Sequence, residues 1–292
     1  TQADDHFNTV LYTGDSDNDV TVTNTFAADW VWLKIRESSS GTTQHFLQDT
    51  VRGFGASKSL SSSSDGSEGY TGSYQSSQNI VTTNSSLQIV SQDLAENGKT
   101  YVAWTWKAGG APTADNSAAA NAEPTAGSAK IDGSNRSGAF SGPPSIAIKR
   151  LSASTTAGFS IVTWTGTGSA GTIPHGLGAV PHFYVVKNLD DNSTNWQAYH
   201  RKIASDAETD YIYLNGTAAA DDYIAYLFAP IEGYSKFGSY IGNNDADGTF
   251  VHTGFRPAWL MVRRSSGSGG WHMFDNKRST FNEIDVRIEA QD

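Results

Sequence analysis

The chain has no cysteine in its 292 residues, which excludes disulfides and thiolate chemistry. Basic residues are scarce: 20 Lys and Arg stand against 30 Asp and Glu, for a net charge of −10. They are scattered and form no run. Nonspecific nucleic-acid binding needs clustered cations, and so does an anionic membrane surface, so both are disfavoured. No run of about 18 apolar residues occurs, and no helical membrane insertion is expected. The first residues, TQADDHFNTV, lack the basic start and apolar core of a signal peptide. Thr1 is not an initiator, so a processed chain or an excerpt is expected. No heptad pattern and no helix longer than a few turns is predicted. Two kinds of protein suit such an acidic, Ser/Thr/Gly/Asn-rich chain: a soluble extracellular one and an ordinary acidic soluble one.

What is present is a repeat. Tyr12-Thr13-Gly14 precedes the hydrophobic run Trp30-Val31-Trp32-Leu33-Lys34, with a step of 22 from Tyr12 to Lys34. Trp164-Thr165-Gly166 precedes Phe183-Tyr184-Val185-Val186-Lys187 with a step of 23. Tyr240-Ile241-Gly242 precedes Trp259-Leu260-Met261-Val262-Arg263, again with a step of 23. Each basic residue is followed by a polar loop and then HFLQDTVRG (45–53), WQAYHRKI (196–203) or WHMFDNKRS (271–279). Tyr101–Lys107 matches Tyr223–Phe228. Fixed spacing of this kind argues for repetition. The third copy does not reach this last element within residues 236–292.

Short runs with alternating side chains, set between Gly, Asn and Ser turns, predict an all-β fold. We expect tandem β-sandwich-like units: 1–108, a shortened 158–235 and an incomplete 236–292. In Trp30–Arg36 the alternation predicts a strand with Val31, Leu33 and Ile35 on one side and one face in the core. Residues 109–157 are small and polar. They read as a linker or arm, with a brief helix at Ser117–Ala122 and an added strand at Ile146–Leu151.

The chemical candidates are few. Asp15-x-Asp17-x-Asp19 and Asn243-x-Asp245-x-Asp247-Gly248 open like calcium loops. Their twelfth positions are Phe26 and Gly254 instead of Glu, and turn chemistry explains them as well. The histidines form no zinc motif. His45 and His272 fall in comparable strands, where a structural hydrogen bond is expected. No G-x-S-x-G elbow occurs. The alternating acids Asp206, Glu208 and Asp210, and Glu283 with Asp285, read as solvated edges. The glycines of GFG (53–55) and GLG (176–178) read as turns, not phosphate loops. No catalytic residue, metal or cofactor is assigned. Most of the eight tryptophans are expected in the core. Trp196, Tyr199, His200, Trp271 and His272 follow polar loops, and are the candidates to stack on sugar rings.

Several longer stretches resemble a repeat family of tailed-bacteriophage virion proteins, of tail or tail-fibre type, common in marine phages. They are HFNTVLYTG (6–14), DWVWLKIR (29–36), LQDTVRG (47–53), TYVAWTWKAGG (100–110), TTAGFSIVTWTG (155–166), HGLG-VP (175–181, with Ala179), YLNGTAAA (213–220), IEGYSKFGSYIGN (231–243) and TGFRPAWLMVRR (253–264). The resemblance implies a structural, non-enzymatic part of an extracellular virion. Its partners would be other copies of itself, other virion proteins and a host-surface glycan. It also implies that further segments flank the first copy and complete the third. A head fibre or capsid decoration protein and a glycan depolymerase are the rival expectations; the last needs two carboxylates about 5–10 Å apart in a groove.

Overall fold

A computed structural model of the chain describes residues 3–36, 44–69, 79–142, 144–202, 211–214, 217–267, 269–280 and 284–291. The fold is all-β, with 3-10 turns at Ala3–Asp5 and Ala56–Lys58. In chain order the strands are β1 (Phe7–Thr13), β2 (Asp19–Thr23), β3 (Trp30–Ile35), β4 (His45–Asp49), β5 (Asn79–Thr82), β6 (Ser86–Val90) and β7 (Thr100–Trp106). Then come β8 (Ala129–Ile131), β9 (Ser134–Asn135), β10 (Ile148–Ser154), β11 (Phe159–Thr165), β12 (Gly171–Pro174), β13 (Phe183–Asn188), β14 (Gln197–His200), β15 (Tyr211–Leu214) and β16 (Asp222–Phe228). The last are β17 (Trp259–Arg263), β18 (Trp271–Asp275) and β19 (Ile288–Glu289).

The first sheet has the order β1-β7-β3-β4, all antiparallel. The second contains β11-β16-β13-β14 in the same order, extended beyond β11 by β10, β8 and β9. The registers agree as well. Tyr12 lies opposite Tyr101 as Trp164 lies opposite Tyr223, and Lys34 lies opposite Val102 as Lys187 lies opposite Ile224. Among the described residues the third sheet comprises β17-β18-β19. Small sheets β2-β6-β5 and β12-β15 complete the set.

Each large sheet is buried on both faces, because its strands alternate between two cores. On β7, Tyr101 and Ala103 enter an outer core beneath β2-β6-β5, with Leu33, Leu87 and Ile89. Val102, Trp104 and Trp106 enter a central core instead. On β16, Tyr223, Ala225 and Leu227 face the outer core shared with Ile173 and Leu214, while Ile224 and Tyr226 join the same central core. Met273 and Ala290 of the third sheet's region reach it too. This corrects the expectation for β3, which was read as having a single buried face. Its alternation separates two cores, not core from solvent, and all six of its residues are buried. Strands buried on both faces carry nearly continuous apolar runs, as WVWL does.

The stretch at 109–157 is not a linker. Its strand β10 pairs antiparallel with β11, and β8 runs parallel to β10. The added strand covers Ile148–Ser154, and Ile148, Leu151 and Ala153 pack in the outer core. No helix forms at 117–122. The small residues of this stretch permit close approach: a Cβ on Gly109 would lie 2.5 Å from the carbonyls of Ala153 and Lys130.

The repeated glycine of the Tyr/Trp-Thr-Gly motif has one role in both places. Gly14 N–H donates to the carbonyl of Lys99, and Gly166 N–H to that of Asp221, two residues before Tyr101 and Tyr223. A Cβ would meet the carbonyl oxygen of Glu96 at 2.1 Å at the first glycine and that of Ala218 at 2.1 Å at the second. A side chain at either site would push the loop off the strand end.

Trp30 stands at the middle of the central core. Its ring lies 4.4 Å from Tyr226, 4.5 Å from Trp106 and 5.6 Å from Phe159, so it touches both large sheets. Trp30→Ala is expected to cost about 3–5 kcal/mol in urea unfolding. Val81→Ala, at a half-exposed position of β5, should stay within about 0.5 kcal/mol.

Candidate functional site

The most organised polar groups lie where the sheets meet. Asp49, at the end of β4, is buried, and so is the Arg52 side chain. The Asp49 Oδ1 accepts the backbone N–H groups of Val51 and Arg52 at 3.0 and 2.9 Å. Its Oδ2 accepts Arg52 Nε at 2.7 Å, and Arg52 Nη2 donates to the Leu47 carbonyl at 3.4 Å. A further contact comes from the second sheet: the Tyr226 hydroxyl donates to Asp49 Oδ2 at 2.7 Å. Arg52 Nη1 also reaches Glu68, at 3.2 Å.

The third sheet repeats the device. Asp275, at the end of β18, accepts N–H from Lys277 and Arg278 at 3.0 and 2.8 Å on Oδ1, and Arg278 Nε on Oδ2 at 2.5 Å. Arg278 Nη2 donates to the Met273 carbonyl at 3.2 Å. Here the donor from the neighbouring sheet is Trp104 Nε1, 3.2 Å from Asp275 Oδ2. Trp104 holds the position in β7 that Tyr226 holds in β16, counted from Tyr101 and Tyr223. The Asp-x-x-Arg spacing makes both devices local, because the carboxylate closes a turn and the arginine three residues on folds back to it.

A second contact has the same direction. Trp196 Nε1 donates to the Ser61 carbonyl at 2.9 Å, from the second sheet's end onto the first. His45, at the matching place before β4's apolar run, faces the Glu289 carbonyl of the third sheet at 2.9 Å. Trp271, the third sheet's residue at that place, lies 5.6 Å from Phe183 of the second. The second sheet thus docks on the first, the first on the third and the third on the second.

Electrostatics follow from this burial. Burial acts to lower the Arg52 pKa, but Asp49, Tyr226 and Glu68 outweigh it and hold the pKa above its usual value. Burial raises the Tyr226 hydroxyl well above the usual tyrosine value. His45 is pushed down to about 3 by burial and by the cations of Lys34 and Arg278, against the Glu289 hydrogen bond. Trp32 Nε1 donates to His45 Nδ1 at 2.7 Å, so the neutral ring carries its proton on Nε2 and donates to Glu289.

The five residues read as sugar-stacking candidates are placed by this packing. Tyr199 is buried and stacked on Tyr184 at 4.4 Å, which corrects its reading as an exposed ring. Trp196 packs against the central core through its hydrogen-bonded ring. Trp271 lies between Phe183 and the Arg263 guanidinium. His272 Nδ1 lies 3.3 Å from Glu289. His200, paired opposite Phe183, is half-buried and accepts Lys202 N–H on Nδ1. The two acidic turns close on themselves, Asp15 Oδ1 accepting N–H from Asp17 and Asp19 and Asp245 accepting N–H from Asp247. Among the described residues no group of three His, Asp or Glu side chains is placed to hold a metal ion. Asp206, Glu208, Asp210 and Glu283 lie outside the described residues. The Asp-x-x-Arg devices were not foreseen in the sequence, although DTVR (49–52) and DNKR (275–278) sit at matching positions of two copies.

A family model described as a domain of unknown function, DUF7483, matches residues 2–221 and 216–292. No curated protein and no solved structure matches the chain.

Two outcomes are expected of this site. Asp49→Asn leaves Arg52 buried without its carboxylate and should cost about 3–5 kcal/mol in urea unfolding, whereas Asp15→Asn should stay within about 0.5 kcal/mol. The second concerns pH. The unfolded chain protonates His45 below about 6.5, the folded chain only near about 3. Across that window the unfolded state binds more protons, so the His45 contribution falls as pH drops from 6.5 toward 3. The loss of Tm between pH 7 and pH 4.5 should be smaller in His45→Gln than in the parent chain.

Proposed function

The chain belongs to the DUF7483 family, and we propose that it serves as a structural part of a tailed-bacteriophage virion, in a tail fibre or tail appendage that contacts the host surface. One observation carries the structural half of this reading. The buried charged pairs Asp49–Arg52 and Asp275–Arg278 hold one sheet to the next around a common aromatic core. Groups so tightly paired hold shape, and a rigid body assembled from sheets suits a particle component that must keep its form outside the cell. The resemblance of HFNTVLYTG, DWVWLKIR and TGFRPAWLMVRR to phage tail proteins supplies the virion half. With Tyr199 buried and Trp196 and Trp271 packed between sheets, sugar contact falls to loops at the sheet ends and not to those rings.

Light scattering and a glycan array on one purified sample test the reading together. A stable closed oligomer that binds bacterial surface glycans without cleaving them is the expected result. A monomer that binds no glycan would overturn the fibre assignment and favour a decoration part. Release of shortened glycan chains would favour a depolymerase.

A further inference from the structure

Basic residues are scattered along the sequence, yet one end of the second sheet gathers four basic side chains. β13 and β14 pair from Phe183 opposite His200 to Val186 opposite Gln197. The ladder runs one step further, because Arg201 N–H donates to the His182 carbonyl at 2.8 Å. His182 is itself tied to the central strand β16, its N–H donating to the Phe228 carbonyl at 2.8 Å. His182 and Arg201 thus stand as a cross-strand pair, with Arg201 Nη1 3.2 Å from His182 Nε2. The chain then turns, and Lys202 N–H donates to His200 Nδ1 at 3.2 Å. His182 packs edge-on against Phe237 at 6.3 Å, and Phe237 stacks on Phe183 at 6.4 Å. Arg201 and Lys202 are exposed. The result is a cluster of nitrogen donors on a fixed strand end, open to solvent at its two cations.

No acid offsets this cluster. The charged groups that act on His182 are Arg201, His200 and Lys202, and the one that acts on His200 is Lys202. Burial first, and then these cations, hold both imidazoles below the ordinary histidine value. Among the described residues none of the four side chains joins an ion pair. Arg52 and Arg278, by contrast, each have their own aspartate. An arginine can only donate, so His182 Nε2 accepts from Arg201 and the ring is neutral. A guanidinium whose acceptor is a neutral imidazole holds a weaker partner than a carboxylate or phosphate would be, since either takes two parallel charge-assisted hydrogen bonds. The net charge of −10 repels anions from the chain as a whole, so a clustered set of cations decides where an anion can settle.

We propose that His182, His200, Arg201 and Lys202 bind the anionic group of an acidic bacterial glycan, a uronate carboxylate or a phosphodiester. The inference rests on the reading of this chain as a part that contacts the host surface, and names the class of sugar it takes there. An anion seated on Arg201 replaces His182 as the acceptor of the guanidinium. The freed His182 Nε2 then takes a proton from solvent and donates to the same anion. His200 acts in the same way, as a charged donor and not as a ring for stacking. Binding therefore takes up protons and strengthens as pH falls through the range where the two imidazoles charge.

The test is isothermal titration of the full chain with trigalacturonate, a glycerol-phosphate oligomer, galactotriose and a single-stranded DNA oligomer. At least one acidic oligomer is expected to bind and galactotriose to be ignored at this site; which acidic oligomer binds identifies the anion. Arg201→Gln should keep the Tm of the parent, because the side chain is exposed, and weaken binding about tenfold. Affinity should rise about fivefold from pH 7.5 to pH 5.5, and that rise should vanish when His182→Gln and His200→Gln are combined. Lys107→Gln, which removes an exposed cation elsewhere, should bind as the parent does. Failure of both acidic oligomers to bind, or equal binding by Arg201→Gln, would overturn the inference. Galactotriose bound while both acidic oligomers are ignored would overturn it too, but would leave contact with host glycan standing. DNA bound as tightly as the acidic glycans would mark a general polyanion patch and overturn the assignment to sugar.

Discussion

The structure depends on a buried carboxylate shared between sheets. Asp49 and Asp275 each close their own turn, bind their own arginine and then accept a proton donor from the sheet next to them. A lone carboxylate at either site would be costly to bury. The pairing with arginine and the backbone donors makes burial tolerable, and the aromatic donor fixes where the next sheet sits. A buried pair of this kind specifies geometry more than it adds stability. The apolar contacts around Trp30 give the driving force, and the polar contacts select one arrangement among many that would bury the same area.

This explains why the aromatic content is concentrated on alternate positions of β3, β7 and β16. Positions facing the outer cores hold Leu, Ile, Ala and Tyr. Positions facing the central core hold Trp30, Trp104, Trp106 and Tyr226. Large flat rings fill the space between the sheets, and the Trp104 N–H and Tyr226 O–H reach the buried carboxylates of Asp275 and Asp49. The glycines at 14 and 166 complete the device, since they let the loop before the central strand lie directly on the end of the outer one.

Much of this was legible in the sequence. The Tyr/Trp-Thr-Gly motif and the basic strand end, 22 and 23 residues apart, fall at matching places of the first two sheets, Tyr12 in β1 and Lys34 in β3, Trp164 in β11 and Lys187 in β13. The match between Tyr101–Lys107 and Tyr223–Phe228 likewise corresponds to two central strands. The rest was hidden for physical reasons. The polar composition of 109–157 disguised β8 and β9, while β10 was legible through the apolar run at Ile146–Leu151. Trp196 and Tyr199 followed a polar loop and looked exposed, but a strand's exposure depends on what covers it.

The sequence by itself determined the all-β character and the two-residue alternation of its strands. These follow from backbone geometry and hydrophobic period, which are set over a few residues. Only the tertiary structure decided that both faces of β3, β7 and β16 are buried and that the sheets dock in cyclic order. It also decided that Asp49 meets Tyr226 and Asp275 meets Trp104. Those pairings join residues more than 170 positions apart, and no local rule of spacing links them. They exist because three sheets share one core, and the choice of neighbour is made by the shape and hydrogen bonding of that core.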